Sequence, residues 1–399
     1  MVNQKKKDIL KTAEYLFSTK GFSQTTVANI AKESGVHEAS VYAYFKNKKN
    51  ILFAIYGKYL QKALLTLKEH FQGMKEPGPK LRKAIWHYLA DIKNNPNYAR
   101  ILMMTQRENY DFYASEYTLY MKNYSDLILQ IIITGQKEGL FRSDANPRLI
   151  KNMCMGTSVF TSYHCIACDH TYDPDDMSDR IYQLVLNAAG VQTHFLENSS
   201  KSNRKEKTEL RRSQIIEAAS RIFADKGYAS ATISKIAKQA NLGNATLYEY
   251  FEHKETILFD TAQTYLQELH LDENNNSKSI QDSEKTLRRL IWRWIWMLYK
   301  HEHFSRILVL ELFRNIKFYT SSGYKFITDF FEEISKTVQQ GQLDGIFIKN
   351  VPLLTYTHMI TGTFDQYLLS QFLLDTPPLG LAELHNTVDT LIDVIKVKK

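Results

Sequence analysis

The sequence predicts an all-α chain built from two consecutive copies of one unit. Three observations carry this. Apolar residues recur at helical spacing along the chain, without a convincing alternation of period two. Two short helices joined by a tight turn are legible between Thr26 and Lys48. The same arrangement returns between Thr232 and Lys254 at a constant spacing.

The first motif follows a helix carrying Ile9, Ala13 and Phe17, which ends at Lys20-Gly21-Phe22. Thr26 stands where an N-cap hydroxyl satisfies orphan N–H groups, and Ile30 and Ala31 give the next helix an apolar face. Gly35 ends that helix, because glycine enters the left-handed region without steric cost. Val36 plugs the corner, and Glu38 to Phe45 form a second helix with Val41 and Phe45 directed inward. His37, Glu38, Ser40 and Tyr44 are left on its outer face. This is a helix-turn-helix, whose second helix can enter a major groove.

The repetition is detailed. Ile9, Ala13, Phe17, Lys20 and Gly21 return as Ile215, Ala219, Phe223, Lys226 and Gly227. Thr26, Ile30, Ala31, Tyr42, Tyr44, Phe45 and Lys48 return as Thr232, Ile236, Ala237, Tyr248, Tyr250, Phe251 and Lys254. Asn241 replaces Gly35, and asparagine is the next most tolerant residue in the left-handed region.

Between the motifs, Ile51–Phe71 reads as a longer helix leading out of the first one, broken by Lys75-Glu76-Pro77-Gly78-Pro79. Helices are expected at about 80–94, 97–108, 113–138, 146–168 and 176–195. The polar stretch 197–209 is a linker, able to span at most ~50 Å. The second half echoes the first beyond its motif. Tyr98-Ala99-Arg100-Ile101-Leu102 matches Phe304-Ser305-Arg306-Ile307-Leu308, Gly135, Gly139 and Phe141 match Gly341, Gly345 and Phe347, and Gly156-Thr157 matches Gly362-Thr363. The expected domains are residues 1–58 and 210–264 for the two motif heads, and 59–196 and 265–399 for the helical regions that follow them.

The net charge of +8 favours polyanionic partners, and its location sharpens that inference. Residues 1–58 hold ten lysines against four acidic residues, and residues 204–259 hold ten Lys/Arg against seven, an electrostatic footprint suited to DNA. The basic start leads into an amphipathic helix, not a signal peptide. The greasiest segment, Leu290 to Tyr299, is broken by Arg293 and is too short to span a bilayer. Three cysteines give no disulfide framework, and a cytoplasmic protein is expected.

The two motifs resemble the N-terminal domain of TetR/AcrR-type transcriptional regulators, with Ala39 where many members carry Gly or Pro. The resemblance implies two complete TetR-like units in tandem, each a DNA-binding head followed by a helical regulatory and dimerisation region. It implies phosphate contacts from Thr26, Tyr42 and Lys48, and from Thr232, Tyr248 and Lys254. It places His37, Glu38, Ser40 and Tyr44 near base edges, and likewise Gly243, Asn244, Thr246 and Tyr250. Asn244 suits adenine and Glu38 suits cytosine. Tyr44 and Tyr250 are equally compatible with packing sideways on their own helices.

Other constellations point less far. Cys165 and Cys168 share a helix face with His164, His170 and Cys154 nearby, but the second ligand pair of a zinc site is missing, so packing is expected. Tyr98, Tyr110, Phe112, Tyr113, Tyr117, Tyr120 and Tyr124 crowd one regulatory region, and Trp292, Trp294, Trp296, Phe304, Phe313, Phe318 and Tyr319 the other. They read as core, or as the walls of the effector pocket the resemblance implies. His301-Glu302-His303 reads as the end of an exposed turn. Glycine-rich phosphate loops, metalloprotease pairs and nucleophile elbows are lacking.

The expectation is therefore a sequence-specific, double-stranded-DNA-binding repressor released by a small-molecule effector, without cofactor, metal or enzymatic activity. The alternative is an interaction scaffold in which only the first motif binds DNA, motivated by Glu249 and Glu252. Relatives of this kind pair through their last two helices. Ile150–Cys168 and Ile181–Phe195 have internal counterparts at Leu354–Leu374 and Leu384–Val397, so an intrachain pseudo-dimer is expected beside a homo-oligomer. Because the base-facing residues differ between the halves, the operator is expected to be non-palindromic, with half-sites about one helical turn apart.

Overall fold

A computed structural model describes residues 2–107, 112, 115–168, 170–190, 210–251, 253–274, 282–374 and 376–397. Among them the architecture is helical, with a single isolated β-bridge between Phe347 and Lys396. Contacts divide the chain into two compact units: Met1–Leu140 with Asp173–Ser178, and Phe141–Tyr172 with Asp179–Lys399. The division does not fall at the expected linker, 197–209, which lies outside the described residues.

The first unit begins with α1 (Val2–Lys20), α2 (Val27–Glu33), α3 (Glu38–Tyr42) and α4 (Lys48–His70). Ile9, Ala13 and Phe17 of α1, Ile30 and Ala31 of α2, and Val41 and Phe45 are all buried. The helix expected over Glu38–Phe45 is shorter in the structure, although its hydrogen bonding runs on, from the Phe45 N–H to the Val41 carbonyl at 3.0 Å. Next come α5 (Pro77–Asn94), α6 (Pro96–Arg107) and α7 (Thr118–Lys137). Helix α4 ends at His70, ahead of the Lys75–Pro79 stretch expected to break it, and the next helix starts slightly earlier than expected, at Pro77, since the first helical turn needs no N–H from proline. Tyr98, Phe112 and Tyr124 are buried, and Tyr59 stacks on Tyr98 at 4.0 Å between ring centroids. Tyr110 and Tyr113 lie outside the described residues.

The second unit takes α8 (Pro147–Ala167) from the first half of the sequence. Helix α9 (Pro174–Ala188) starts in the first unit and continues in the second. The second head consists of α10 (Leu210–Ser230), interrupted at Gly227, then α11 (Ile233–Gln239), α12 (Asn244–Tyr250) and α13 (Lys254–Leu266). Helix α13 ends at Leu266 and tightens into a 3-10 turn, Gln267–Asn274. The remaining helices are α14 (Ser283–Lys300), α15 (Glu302–Ile307), α16 (Ser322–Leu343), α17 (Leu353–Leu374) and α18 (Leu381–Asp393).

Helices α8 and α17 cross at their glycines. A Cβ on Gly156 would stand 2.2 Å from the Gly362 carbonyl oxygen, and one on Gly362 would stand 2.3 Å from that of Gly156. Glycine here allows two backbones to meet. Around the crossing Phe160 packs edge-on against Phe313 and His358. Thr161 Oγ1 and His358 Nδ1 are 3.0 Å apart, and the rings of His164 and His358 lie 5.0 Å apart. Burial pushes the His164 imidazole down to about 4 and His358 well below its ordinary value, so both are neutral at pH 7. Arg314 makes a bidentate pair with Asp365 of α17 at 2.7 and 2.8 Å, fully out of solvent, with its guanidinium 5.7 Å from the ring of Tyr163 on α8.

Two aromatic and histidine expectations are corrected. On α14 it is Trp294 that enters the core, stacked with Phe330. Trp296 is 68% exposed and Trp292 leans on His385. His301 does not end an exposed turn. It caps α14, half-buried, with Nε2 3.0 Å from Glu268.

Candidate nucleic-acid interface

Each head is assembled by capping and by one lysine. The Thr26 hydroxyl oxygen accepts the Asn29 N–H at 3.1 Å, and the Asn29 side chain reciprocally accepts the Thr26 N–H at 3.1 Å. Thr232 accepts the Lys235 N–H at 3.3 Å. These caps hold the first helix of each motif and satisfy orphan donors that burial would otherwise penalise. The turns are left-handed as the sequence requires, at φ +66° for Gly35 and +56° for Asn241.

Lys48 and Lys254 have a role the sequence did not suggest. The Lys48 ammonium donates to the carbonyls of Phe22 and Thr25 at 2.7 and 2.8 Å and sits over the Phe22 ring. Lys254 repeats this on Tyr228 and Ala231 at 2.6 and 2.9 Å, over the Tyr228 ring. These bonds tie the start of α4 or α13 to the turn at the end of α1 or α10. Phosphate contact was expected to be their task; the geometry gives them a structural one first. A lysine at a helix start looks solvated in sequence, and only the paired carbonyls of a turn distant in the chain disclose its use.

The other expected contact residues divide by exposure. Thr26, His37, Glu38 and Tyr42 are exposed, as are Thr232, Gly243, Asn244 and Tyr248. Tyr42 and Tyr248 expose about half their surface, 51% and 55%, at equivalent positions. Ser40, Tyr44, Thr246 and Tyr250 are half-buried. The Tyr44 ring lies 6.4 Å from that of Phe45, consistent with partial sideways packing. The side chains of Glu249 and Glu252 lie outside the described residues.

Elsewhere in the second unit a small, mostly apolar cleft of about 20 Å³, partly open to solvent, lies between α14, α17 and the start of α18. Ile295, Tyr299, Phe364, Tyr367 and Leu379 help to line it. Cys154 and Cys165 are buried and Cys168 half-buried. Burial raises all three thiols, Cys154 to about 12 and Cys165 to about 11, which disfavours the thiolate. Among the described residues no three His, Cys, Asp or Glu side chains gather as a metal would require, and no helix is long and apolar enough to cross a membrane.

The family model described as bacterial regulatory proteins, tetR family, matches residues 9–55 and again 215–261. The chain belongs to the TetR family. A second model, the C-terminal region of YsiA-like proteins, matches residues 56–188 between the two. Similar proteins include the fatty acid metabolism regulator protein of Bacillus subtilis (strain 168), 23% identical over 178 residues, which are 45% of this chain and 92% of that one. The HTH-type transcriptional regulator HbdR of Aromatoleum sp. (strain CIB) is 31% identical over 92 residues, 23% of this chain and 40% of the relative. Among solved structures, the fatty acid degradation regulator FadR from Bacillus halodurans matches with a TM-score of 0.42 and 21% identity, covering 47% of this chain and 99% of that one. FadR from Bacillus subtilis in complex with stearoyl-CoA gives 0.42 and 23%, covering 45% and 96%. These relatives are regulators, not enzymes, and nearly the whole of the first fits within half of this chain. This TetR-family protein is thus a DNA-binding, ligand-responsive regulator with two helix-turn-helix regions in tandem.

Proposed function

We propose that the chain is a repressor whose two non-identical recognition helices read one non-palindromic operator as an intrachain pair. The observation that carries the reading is the crossing of α8 and α17, one from each copy, at Gly156 and Gly362. Relatives pair identical copies through such helices; here one chain supplies both. Residues 1–58 and 210–264 are the heads, and 59–196 and 265–399 the regulatory regions. Tethering raises the effective concentration of one half for the other to the millimolar range.

In this reading Thr26, Tyr42, Thr232 and Tyr248 donate to phosphates, which position without specifying. Lys48 and Lys254 add their positive charge. His37, Glu38, Ser40 and Tyr44 face the bases of one half-site, and Gly243, Asn244, Thr246 and Tyr250 those of the other. An effector binding the regulatory region shifts the protein only if it prefers the form that does not bind DNA. It acts through α4 and α13, the helices leading out of the heads.

Selection of bound sequences from random duplex DNA, with the mass of the complex, tests the reading. The expected result is an asymmetric site bound by one chain. A strictly palindromic site bound by two chains would sink it, and a site read by α3 alone would favour the scaffold.

A further inference from the structure

We propose that Glu311 is a positioning residue for DNA recognition, holding the second head against its own regulatory bundle. The proposal rests on the reading that both heads bind DNA.

One peptide group links the second head to its bundle. Gly227, at φ +72°, turns the chain at the end of α10, and the next N–H, that of Tyr228, donates to Glu311 Oε1 at 2.8 Å. The carbonyl of the same residue accepts from Lys254 at 2.6 Å. Lys254 opens α13, shortly after the recognition helix α12. Tyr228 thus joins the recognition helix on one side to the regulatory bundle on the other. A carboxylate accepting an amide is among the stronger hydrogen bonds, and Glu311 is only 6% exposed, so water competes poorly for it.

Glu311 is itself firmly held. It lies in a π-helical segment, Leu308–Leu312, an irregularity that occurs mostly at functional sites. Three residues on, Arg314 makes its buried bidentate pair with Asp365 on α17, the helix that meets α8. The second head is therefore fastened to the seam between the repeats.

Repeat 1 is fastened elsewhere. Thr105 occupies the position equivalent to Glu311, and threonine has no carboxylate. There, Tyr59 of α4 donates a short hydrogen bond to Glu14 of α1. The equivalent pair in repeat 2, Ser220 and Tyr265, is 3.5 Å apart, at the limit of a hydrogen bond. Both heads are thus tied to the helix that leads out of them, the first through Glu14 and Tyr59 and the second through Lys254, and the second has the further tie of Glu311 to its bundle.

The test uses the full chain, its selected operator and duplexes with each half-site scrambled in turn. Glu311→Met keeps length and packing but removes the acceptor; Glu311→Gln keeps a carbonyl oxygen for Tyr228. In the unsubstituted protein scrambling either half-site costs about tenfold or more in affinity. Glu311→Met is expected to shrink the second half-site penalty at least about threefold, leave the first unchanged, and speed hydrogen exchange at the Tyr228 amide about tenfold. Glu311→Gln restores both. If Glu311→Met fails to fold, Glu311→Thr, the residue of repeat 1, replaces it. The proposal is overturned by unchanged Tyr228 exchange, by equal change of the two penalties, or by Glu311→Gln behaving as Glu311→Met. Absence of a second half-site penalty before any substitution overturns the two-head reading itself, and this proposal with it.

Discussion

Replacing Gly156 with alanine puts the helix crossing to its most direct test. The new Cβ would stand 2.2 Å from the Gly362 oxygen and 2.4 Å from its carbonyl carbon. Ordinary carbon contacts need about 3.5 Å, so the backbones must part by about 1 Å. No side chain can swing aside, because the opposing atoms are main chain. A gap of that size forfeits a quarter to a half of the dispersion energy of the contacts along the seam. Overpacking of this kind costs about 1–3 kcal/mol, and backbone opposition puts the expected loss near the top, at about 3 kcal/mol. For a unit of this size that is a drop in melting temperature of roughly 6–12 °C. Gly362→Ala should cost as much. The double variant should cost clearly less than the sum, because once the helices have parted the second Cβ enters space already opened, a coupling of at least about 0.5 kcal/mol. Chemical denaturation followed by circular dichroism reads all three. Single variants within about 0.5 kcal/mol of the parent, or strict additivity, would refute the crossing.

The other predictions concern separate parts of the molecule. Lys48→Ala and Lys254→Ala should each lose about 1.5–3 kcal/mol of stability from the severed carbonyl ties, and flatten the log–log salt dependence of DNA binding by about one unit if their charge also meets phosphate; the two readouts separate the structural from the binding role. Changing Glu38 or Asn244 should alter which base is preferred at one position and leave the salt slope alone, checked by repeating the selection. The Cys165→Ser/Cys168→Ser variant should fold and bind DNA equally under reducing and oxidising conditions, since burial holds Cys165 up to about 11. His164 and His358 are neutral when folded, with values lowered by burial, so the unfolded chain binds more protons below pH 6.5. Their contribution is complete above about 6.5 and is lost as the pH falls, for His164 toward about 4 and for His358 well below its ordinary range; His358→Asn, the residue of repeat 1, should flatten the acid side of a stability–pH curve.

Much of this was legible in the chain, and what was not has physical causes. Gly35 and Asn241 announced left-handed turns because few residues tolerate them, and both lie there. Thr26 announced a cap because a β-hydroxyl ahead of an apolar period has few other uses. The lysine ties were illegible, since their acceptors are carbonyls, which every residue possesses. Trp296 misled because a helix face shared with Trp292 says nothing about which face is buried; Trp294, two residues from each and so on the other side of the helix, is the core residue. Glu311 and Arg314 sit in an apolar run where sequence pattern expects neither, and their partners lie 83 and 51 residues away. The Gly-Thr pairs at 156–157 and 362–363 were visible as an echo, but periodicity cannot tell which helix meets which.

The crossing of α8 and α17 also sets the order in which the protein can be made. Helix α8 leaves the ribosome with a side built from Leu149, Ile150, Met153, Phe160 and Tyr163, all buried in the finished protein. Its partner is encoded about 200 codons later, which at usual elongation rates of 5–20 residues per second leaves that side uncovered for roughly 10–40 s. Helices form in microseconds, so α8 is ready and waiting throughout. During that interval the nearest matching surface can belong to a neighbouring nascent chain on the same message. Slow elongation between the two helices should favour such entangled products, and rapid elongation the self-contained one.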